Sequence, residues 1–533
     1  MEKSETRVRV DAVEQADVEL LATLGYKQEF KRAFSALESF GLAFSVFGLV
    51  PSIATVMSYP IPNGGPVAMV WGWFVASLFI LCIGMSMGEL ASSQPTSGGL
   101  YYWTHSLSSP KYRNVLAWFV GYANTIGSIA SVASIVWGTA VQVMAAASIG
   151  SGGSFIPTNA QLFGVYCAVI ITNGLLCSLG TRVLARLQTV YIVLNIALCL
   201  AIFIALPVLT PKEYRNSASF ALGGFGNFSG WPDGFAFILS FLAPVWTIGS
   251  FDCVVHISEE TANAATAVPW AVVNAIAISG VLGTALMITI AFCMGPDLQA
   301  ILDSDIQQPM ATARITRSIL FNSIGPEGTL GIWSVIVIIQ FMMGSSMLLA
   351  SSRQVFAFSR DGALPLSKWL YRINSFTETP VNSVWFSVVV AILLGLLSFA
   401  GDAAIDAIFS ISVFGTYIAF GIPISVRFIF SKTNNFKPGP FTLGRWGFPI
   451  ALIAVVFMFV INIWQLFPLT RQTDAASMNY SNVVLGSCLI WFYLPKYGGA
   501  HWFTGPVPNV DIDEDRGMHA HGESPGDEKL ANQ

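Results

Sequence analysis

The sequence predicts an all-α polytopic membrane protein with twelve transmembrane helices. Of its 533 residues, 54% are hydrophobic and only 11% charged, against about 25% charged in an average protein. Residues 268–294, 329–352 and 446–468 contain no Asp, Glu, Lys or Arg, and each offers the ~20 apolar residues that a spanning helix needs. Basic residues crowd into alternate loops, as membrane topology requires. A soluble chain of this length would need far more charged surface.

Residues 1–35 are polar and mixed in charge. They read as a cytoplasmic tail, since a secretory signal would be apolar; the first apolar segment then serves as an internal, uncleaved membrane signal. The twelve expected spans are 36–58, 67–90, 114–147, 161–180, 184–208, 235–257, 268–294, 327–352, 382–400, 404–430, 446–468 and 480–495. The third is long enough to tilt. Residues 496–533 form a C-terminal tail, acidic and rich in Gly and Pro from about 507, a composition that favours disorder.

With the N-terminus inside, the cytoplasmic loops hold Lys111, Arg113, Arg182, Arg186, Arg353, Arg360, Lys368, Arg372, Arg427, Lys432, Lys437 and Arg445. External loops hold Lys212, Arg215, Arg314, Arg317 and Arg471. The excess sets the orientation, and twelve spans return the C-terminus inside. Two glycosylation sequons, at Asn227 and Asn479, fall in loops placed outside.

Several chemistries find no support. The seven cysteines all lie in apolar segments without a CxxC pair, as buried side chains do and zinc ligands do not. The five histidines form no HExxH pattern, and there is neither a Walker loop nor a nucleophile elbow. A membrane enzyme is therefore disfavoured, and no metal or organic cofactor is expected. A net charge of −4 points to no nucleic-acid partner.

Two spans are interrupted. The first reads "LAFSVFGLVPSIATVM" (42–57), with Gly48 and Pro51 near its middle. The sixth reads "SFLAPVWTIGSFD" (240–252), with Pro244 and Gly249. Pro removes a backbone donor, and Gly tolerates unwound geometry. Each could be an ordinary kink. The two occupy the same position in two five-helix halves, however, and such paired interruptions mark transporter sites built from inverted repeats. The exposed N–H and C=O groups of broken helices suit a zwitterion.

At these residues the chain resembles a known family. "FSVFGLVPSIATV" (44–56), "GGPVAMVWGWFVAS" (64–77), "GELASSQPTSGGLYYW" (88–103), "SFDCVVHISEETANAATAVPWAV" (250–272) and "SSRQVFAFSRDGALP" (351–365) are similar to the amino acid–polyamine–organocation superfamily. The likeness is strongest to its fungal amino acid/choline branch, which contains GABA permeases, and it covers about residues 35–505.

The resemblance implies a five-plus-five inverted-repeat (LeuT-like) core, 36–208 and 235–430, plus two C-terminal helices in 446–495. It implies a secondary transporter of GABA or a related small amino acid, driven by protons or sodium. Alternatives are a choline, polyamine or other organic-cation permease of the same fold, or a non-transporting nutrient sensor, which the short tails disfavour. By analogy with permeases, the plasma membrane is favoured over the vacuolar membrane.

The implied substrate residues are Phe47, Gly48, Leu49, Val50, Pro51 and Ser52 in the first span. In the sixth they are Val245, Trp246, Thr247, Ile248, Gly249 and Ser250. Asn124 on the third span is a further polar candidate, for the cavity or for helix contact. Many proton-coupled relatives carry a lysine on the fifth helix beside the first break; here Asn195 stands there, and an amide cannot titrate. The other coupling or gating candidates are Asp252, His256, Glu89, Glu259 and Glu260. Asp252 either carries charge for coupling or substrate, or holds a structural hydrogen bond. His256 titrates near neutral pH or bonds at an inner gate. Glu89, Glu259 and Glu260 are either gate residues or solvated helix-end acids.

Overall fold

The computed structural model describes residues 2–510 except 153, 303–310, 435 and 468–480. Ten helices among the described residues are long and apolar enough to cross a membrane: Ala36–Val56, Gly65–Ser93, Arg113–Gly150, Asn159–Cys177, Thr181–Leu209, Ala264–Cys293, Ser318–Arg360, Val381–Ala400, Ala407–Ile429 and Gly444–Trp464. Two further apolar helices, Asp233–Thr247 and Val483–Phe492, are shorter. They coincide with the expected spans at 235–257 and 480–495. No strand occurs among the described residues, only the isolated bridges Phe34–Thr261 and Asn63–Asn227. The chain is an all-helical, multi-pass integral membrane protein.

Its elements are α1 (Glu2–Thr23), α2 (Ala36–Phe47), α3 (Leu49–Val56), α4 (Trp73–Ser93), α5 (Gly99–Leu107), α6 (Arg113–Gly150), α7 (Asn159–Cys177) and α8 (Thr181–Leu209). There follow α9 (Asp233–Leu239), α10 (Leu242–Thr247), α11 (Cys253–His256), α12 (Ala264–Cys293), α13 (Ala311–Arg360), α14 (Val381–Gly395), α15 (Asp402–Ile429), α16 (Gly447–Trp464) and α17 (Ser481–Phe492). Helix α13 is interrupted at Gly325. All seven cysteines are free thiols, five of them buried.

Helix α6 is the axis. Its 38 residues extend about 57 Å at 1.5 Å per residue, well beyond the ~30 Å hydrocarbon core. Neighbours α5, α7, α13, α15 and α17 pack around it. Its many Gly, Ala and Ser residues permit that crowding, because small side chains let helices approach closely in lipid. At the α6–α15 crossing the backbones nearly touch: a Cβ on Gly415 would stand 2.8 Å from the Ala123 carbonyl oxygen, and one on Gly127 would stand 3.0 Å from the Thr416 nitrogen. The periphery is of opposite character. On α8, Val193, Leu200, Ile204 and Val208 are more than half exposed, as lipid-facing side chains are.

Parts of both tail segments dock on the bundle. Residues 1–35 contain α1, and its sequel pairs with the end of the α11 region, where the Phe34 N–H donates to the Glu260 carbonyl (2.9 Å) and the Ala262 N–H to the Phe34 carbonyl (2.9 Å). The start of the acidic stretch is docked as well: the Asn509 N–H donates to the Gly25 carbonyl at 2.9 Å.

The α6–α15 contact generates a prediction. Gly415→Val forces apart two backbones, an overpacking that costs about 1–3 kcal/mol. Gly164, on α7 with nothing within 4 Å of a Cβ, tolerates alanine. Thermal melts of the purified protein should show a clear drop for the first variant and none for the second; equal melting temperatures would contradict the crossing.

Candidate functional site

Both predicted interruptions are present. Between α2 and α3 the chain takes a single left-handed residue, Gly48 (φ 42°, ψ 63°). That conformation strains any side chain, and a Cβ there would also lie 3.0 Å from the Met343 sulfur. Pro51 has no N–H for the Phe47 carbonyl four residues earlier. The Ser52 hydroxyl takes its place, donating to that carbonyl at 2.6 Å. The Pro51 carbonyl accepts from Thr55 Oγ1 (2.9 Å) and from Gln142 Nε2 (3.2 Å).

The other break is wider. Helix α10 stops at Thr247, residues 248–252 are non-helical, and α11 resumes at Cys253. Ser250 sits at φ 53°, a left-handed conformation uncommon outside glycine. Non-helical backbone at membrane depth is tolerated where protein surrounds it, and every residue from 243 to 260 is buried.

A small cavity adjoins the two breaks, lined by Val46, Ser131, Ile135, Val245, Trp246, Gly249, Ser250, Met343, Ser412, Val413 and Thr416. Its free space is about 10 Å³ for the centre of a water-sized sphere, room for one water and too little for an amino acid. Hydroxyls supply the side-chain polarity. Ser131 Oγ lies 3.3 Å from Ser250 Oγ, and Thr416 Oγ1 donates to the Ser412 carbonyl at 2.8 Å. No lining side chain is charged. Trp246 stacks obliquely on Phe409, ring centres 5.3 Å apart.

Of the thirteen predicted substrate residues, Val245, Trp246, Gly249 and Ser250 line this cavity. Gly48 approaches it through Met343. Phe47, Leu49, Pro51, Ser52, Thr247 and Ile248 are buried around the breaks without lining it. Val50 instead lines an apolar void of about 30 Å³ with Ile53, Met57 and Ile202. Asn124 is wholly buried and donates from Nδ2 to Asp252 Oδ2 at 2.7 Å, so it touches the coupling candidates and not the cavity. Asn195 is buried on α8, its amide donating back to the Tyr191 carbonyl at 3.0 Å.

The sequence reading missed Val46, Ser131, Ile135, Met343, Ser412, Val413 and Thr416. One signal was available for α6: residues 124, 128, 131 and 135 follow helical spacing, so Ser131 and Ile135 share a face with Asn124. Nothing comparable singles out Met343, Ser412 or Thr416.

Below the breaks, at the end of the bundle rich in basic residues, the acids are paired. Glu259 meets Arg360 in a two-pronged contact (3.1 Å and 3.1 Å). Glu260 meets Arg353 likewise (2.7 Å and 3.3 Å). Glu89 receives Arg427 at 2.5 Å and Thr442 at 2.8 Å. By sequence Arg353 and Arg360 belong to a cytoplasmic loop. Both lie in the closing turns of α13 and are almost completely buried, which follows from their charge being matched. The two glutamates are not solvated helix-end acids.

The tails lie over these pairs. Arg360 stacks on the Tyr26 ring at 3.8 Å, and Arg32 donates to the Thr261 carbonyl at 2.6 Å. Asp361 accepts from Tyr101 Oη (2.7 Å), Tyr26 Oη (3.1 Å) and the Val507 N–H (3.0 Å). Burial pushes the Asp361 carboxyl above the usual carboxylate range, against the pull of the Arg360 guanidinium.

Of the two sequons, Asn479 lies outside the described residues. Asn227 is half-buried in a turn, its Nδ2 donating to the Trp231 carbonyl (2.6 Å) and to Asp233 Oδ1 (2.9 Å).

A multi-pass helical bundle with an interrupted pair of helices beside a polar, uncharged cavity belongs to the class of membrane transport proteins. Comparison with known proteins gives the family. The family model described as amino acid permease matches residues 34–490. The GABA-specific permease of Saccharomyces cerevisiae is 38% identical over 506 residues, 93% of this chain and 87% of that protein. An uncharacterised amino-acid permease of Schizosaccharomyces pombe is 38% identical over 499 residues, 93% of this chain and 88% of that one. An amino-acid permease of Arabidopsis thaliana is 32% identical over 500 residues, 92% of this chain and 96% of that protein. The chain belongs to the amino acid permease family. It is a transporter of amino acids, not an enzyme.

The burial of these pairs can be tested directly. Arg353→Ala leaves Glu260 charged and fully buried, which costs about 3–5 kcal/mol. Lys31→Ala removes a pair whose side chains are 63% and 50% exposed, worth under about 1 kcal/mol. Thermal melts should separate the two widely; similar small losses would mean that the Arg353 pair is solvated.

Proposed function

We propose that this protein is a secondary transporter that carries GABA, or a closely related small amino acid, by alternating access. In this reading the chain spans the bilayer twelve times. Residues 36–208 and 235–430 form inverted five-helix repeats, and residues 446–495 add two helices. The ten full-length spans and the two shorter apolar helices support that count. The basic end faces the cytoplasm, and the plasma membrane is the favoured location. Transport is coupled to an ion gradient.

One observation carries the reading: helix breaks at Gly48 and at 248–252 flank a cavity lined by hydroxyls and apolar groups, with no charged side chain. A zwitterion can place its carboxylate at exposed N–H groups and its ammonium at exposed C=O groups. An organic cation such as choline calls for acidic lining, which this cavity lacks. Trp246 supplies an aromatic wall that either solute can use. The GABA-specific relative from yeast favours GABA among amino acids.

The cavity, at about 10 Å³, is shut. With the Glu259–Arg360 and Glu260–Arg353 pairs closed beneath it, the solute is released to the cytoplasm when these pairs part.

Proteoliposomes containing the purified protein should take up labelled GABA, and Gly48→Leu should abolish uptake with expression and trafficking intact. Choline uptake without amino acid uptake would replace the solute, and normal transport by Gly48→Leu would remove the site from this break.

A further inference from the structure

The acids within the helical bundle are not alike. Glu89, Glu259 and Glu260 each face an arginine, which stays protonated at any physiological pH. Asp252 faces a histidine. His256 Nε2 stands 3.2 Å from Asp252 Oδ2, with both side chains 2% exposed. The other ring nitrogen, Nδ1, lies 2.9 Å from the Ser97 carbonyl oxygen. A carbonyl oxygen only accepts, so Nδ1 carries a hydrogen, and this partner fixes the tautomer. If the imidazole were neutral, Nε2 would be a bare lone pair aimed at a bare carboxylate oxygen. A proton between them turns this contact into a hydrogen bond.

We propose that Asp252 and His256 hold one exchangeable proton between Nε2 and Oδ2, and that this pair is the proton-coupling site of the transporter. The proposal rests on the coupled-transport reading and deepens it by naming the ion and its seat. Loading adds one proton to a neutral imidazole beside a carboxylate. Release returns that proton to water on the cytoplasmic side and leaves a net charge of −1 in the bundle. The proton breaks and makes no other bond.

The surroundings decide what release does. Asn124 Nδ2 donates to the same Oδ2 at 2.7 Å, while Asp252 Oδ1 and Asn124 Oδ1 find no partner among the described residues. A buried carboxylate so thinly supported is costly once its proton has left. The other titratable groups nearby do not offset it. Cys253 is its chain neighbour; Glu259 and Glu260 on the next turn are matched by Arg360 and Arg353 of α13. On α2 the acid is Glu38, engaged at the helix start with Ser35. Helix α6 contributes the Asn124 amide and the Ser97 segment a backbone carbonyl, and α12, also packed on α11, carries no Asp, Glu, Lys, Arg or His. Asp361 is buried too, but it lies beneath the tails, held by Tyr26 and Tyr101.

Ser97 joins these two residues to the Glu259–Arg360 pair. Its carbonyl accepts from His256, and its N–H donates to Glu259 Oε1 at 2.9 Å. The same Oε1 receives Arg360 Nη2 at 3.1 Å. Two residues upstream of Asp252, Ser250 lines the cavity. Asp252 closes the unwound segment and His256 closes α11, so the pair lies between the cavity and the acid–arginine pairs, in hydrogen-bond contact with Ser97, which also donates to Glu259. Loss of the proton sets carboxylate against lone pair, and His256 moves off Ser97.

Two measurements test this. The first uses ¹⁵N NMR of histidine side chains in the full-length protein in lipid nanodiscs, with His256 identified by the signal lost in His256→Gln. The expected result is Nδ1 protonated throughout, with a second proton on the ring at low pH that titrates away, and with that titration altered in Asp252→Asn. A ring with bare Nδ1 and protonated Nε2, or one that never takes the second proton, overturns the proposal whatever the solute is. The second follows internal pH in proteoliposomes during GABA uptake: wild type carries protons in with GABA, and Asp252→Asn loses that proton movement. Undiminished proton entry in Asp252→Asn overturns the coupling role. A wild type that moves no GABA counts against the substrate reading alone, and the NMR result then decides the proton site.

Discussion

An interrupted helix inside a bilayer must find partners for its own backbone, and the centre of this protein is arranged around that requirement. Lipid offers no hydrogen bonds, so protein groups must serve the freed backbone wherever solute does not. At the first break the Ser52 hydroxyl replaces the N–H that Pro51 lacks, and Gln142 reaches over from α6 to the Pro51 carbonyl. At the second, Ser250 takes a left-handed conformation against Ser131 of the same axial helix. The broad, small-residue face of α6 lets both breaks approach it. A larger residue at Gly127 or Gly415 would push α15, and with it Ser412 and Thr416, away from the cavity.

The basic end obeys a second constraint, that a charge buried in a helical bundle needs an opposite charge in good geometry. Three acid–arginine pairs satisfy it. Such pairs add little net stability over an apolar replacement, but they fix which arrangement is closed, since parting them requires water to enter. They therefore suit a seal that must open and shut. The N-terminal segment and residues 507–509 rest on that seal through Tyr26, Arg32 and Asp361.

The sequence made some of this legible and not the rest, for physical reasons. Length and apolarity reveal spans, because a bilayer demands about 20 apolar residues in a row. Gly48, Pro51, Pro244 and Gly249 reveal the breaks, because these residue types alter the backbone locally. The cavity wall was harder. Met343, Ser412 and Thr416 are ordinary helical residues, and only the tertiary crossing of α6, α13 and α15 brings them to the breaks. Asn124 is a cavity or helix-contact candidate by sequence; it makes the contact and does not line the cavity, and its partner, Asp252, lies 128 positions away. Arg353 and Arg360 resemble loop residues by charge; the structure buries them because Glu260 and Glu259, gating candidates in the sequence, meet them. The docking of residues 507–509 left no trace in composition.

The central claim is that solute is held where two broken helices meet α6, α13 and α15. A structure determined with GABA bound tests it most directly. Solute density is expected beside Gly48 and residues 248–250, in a cavity widened between Ser131, Met343 and Thr416. Helices continuous through Gly48 and Gly249, or solute seated away from both breaks, would contradict it.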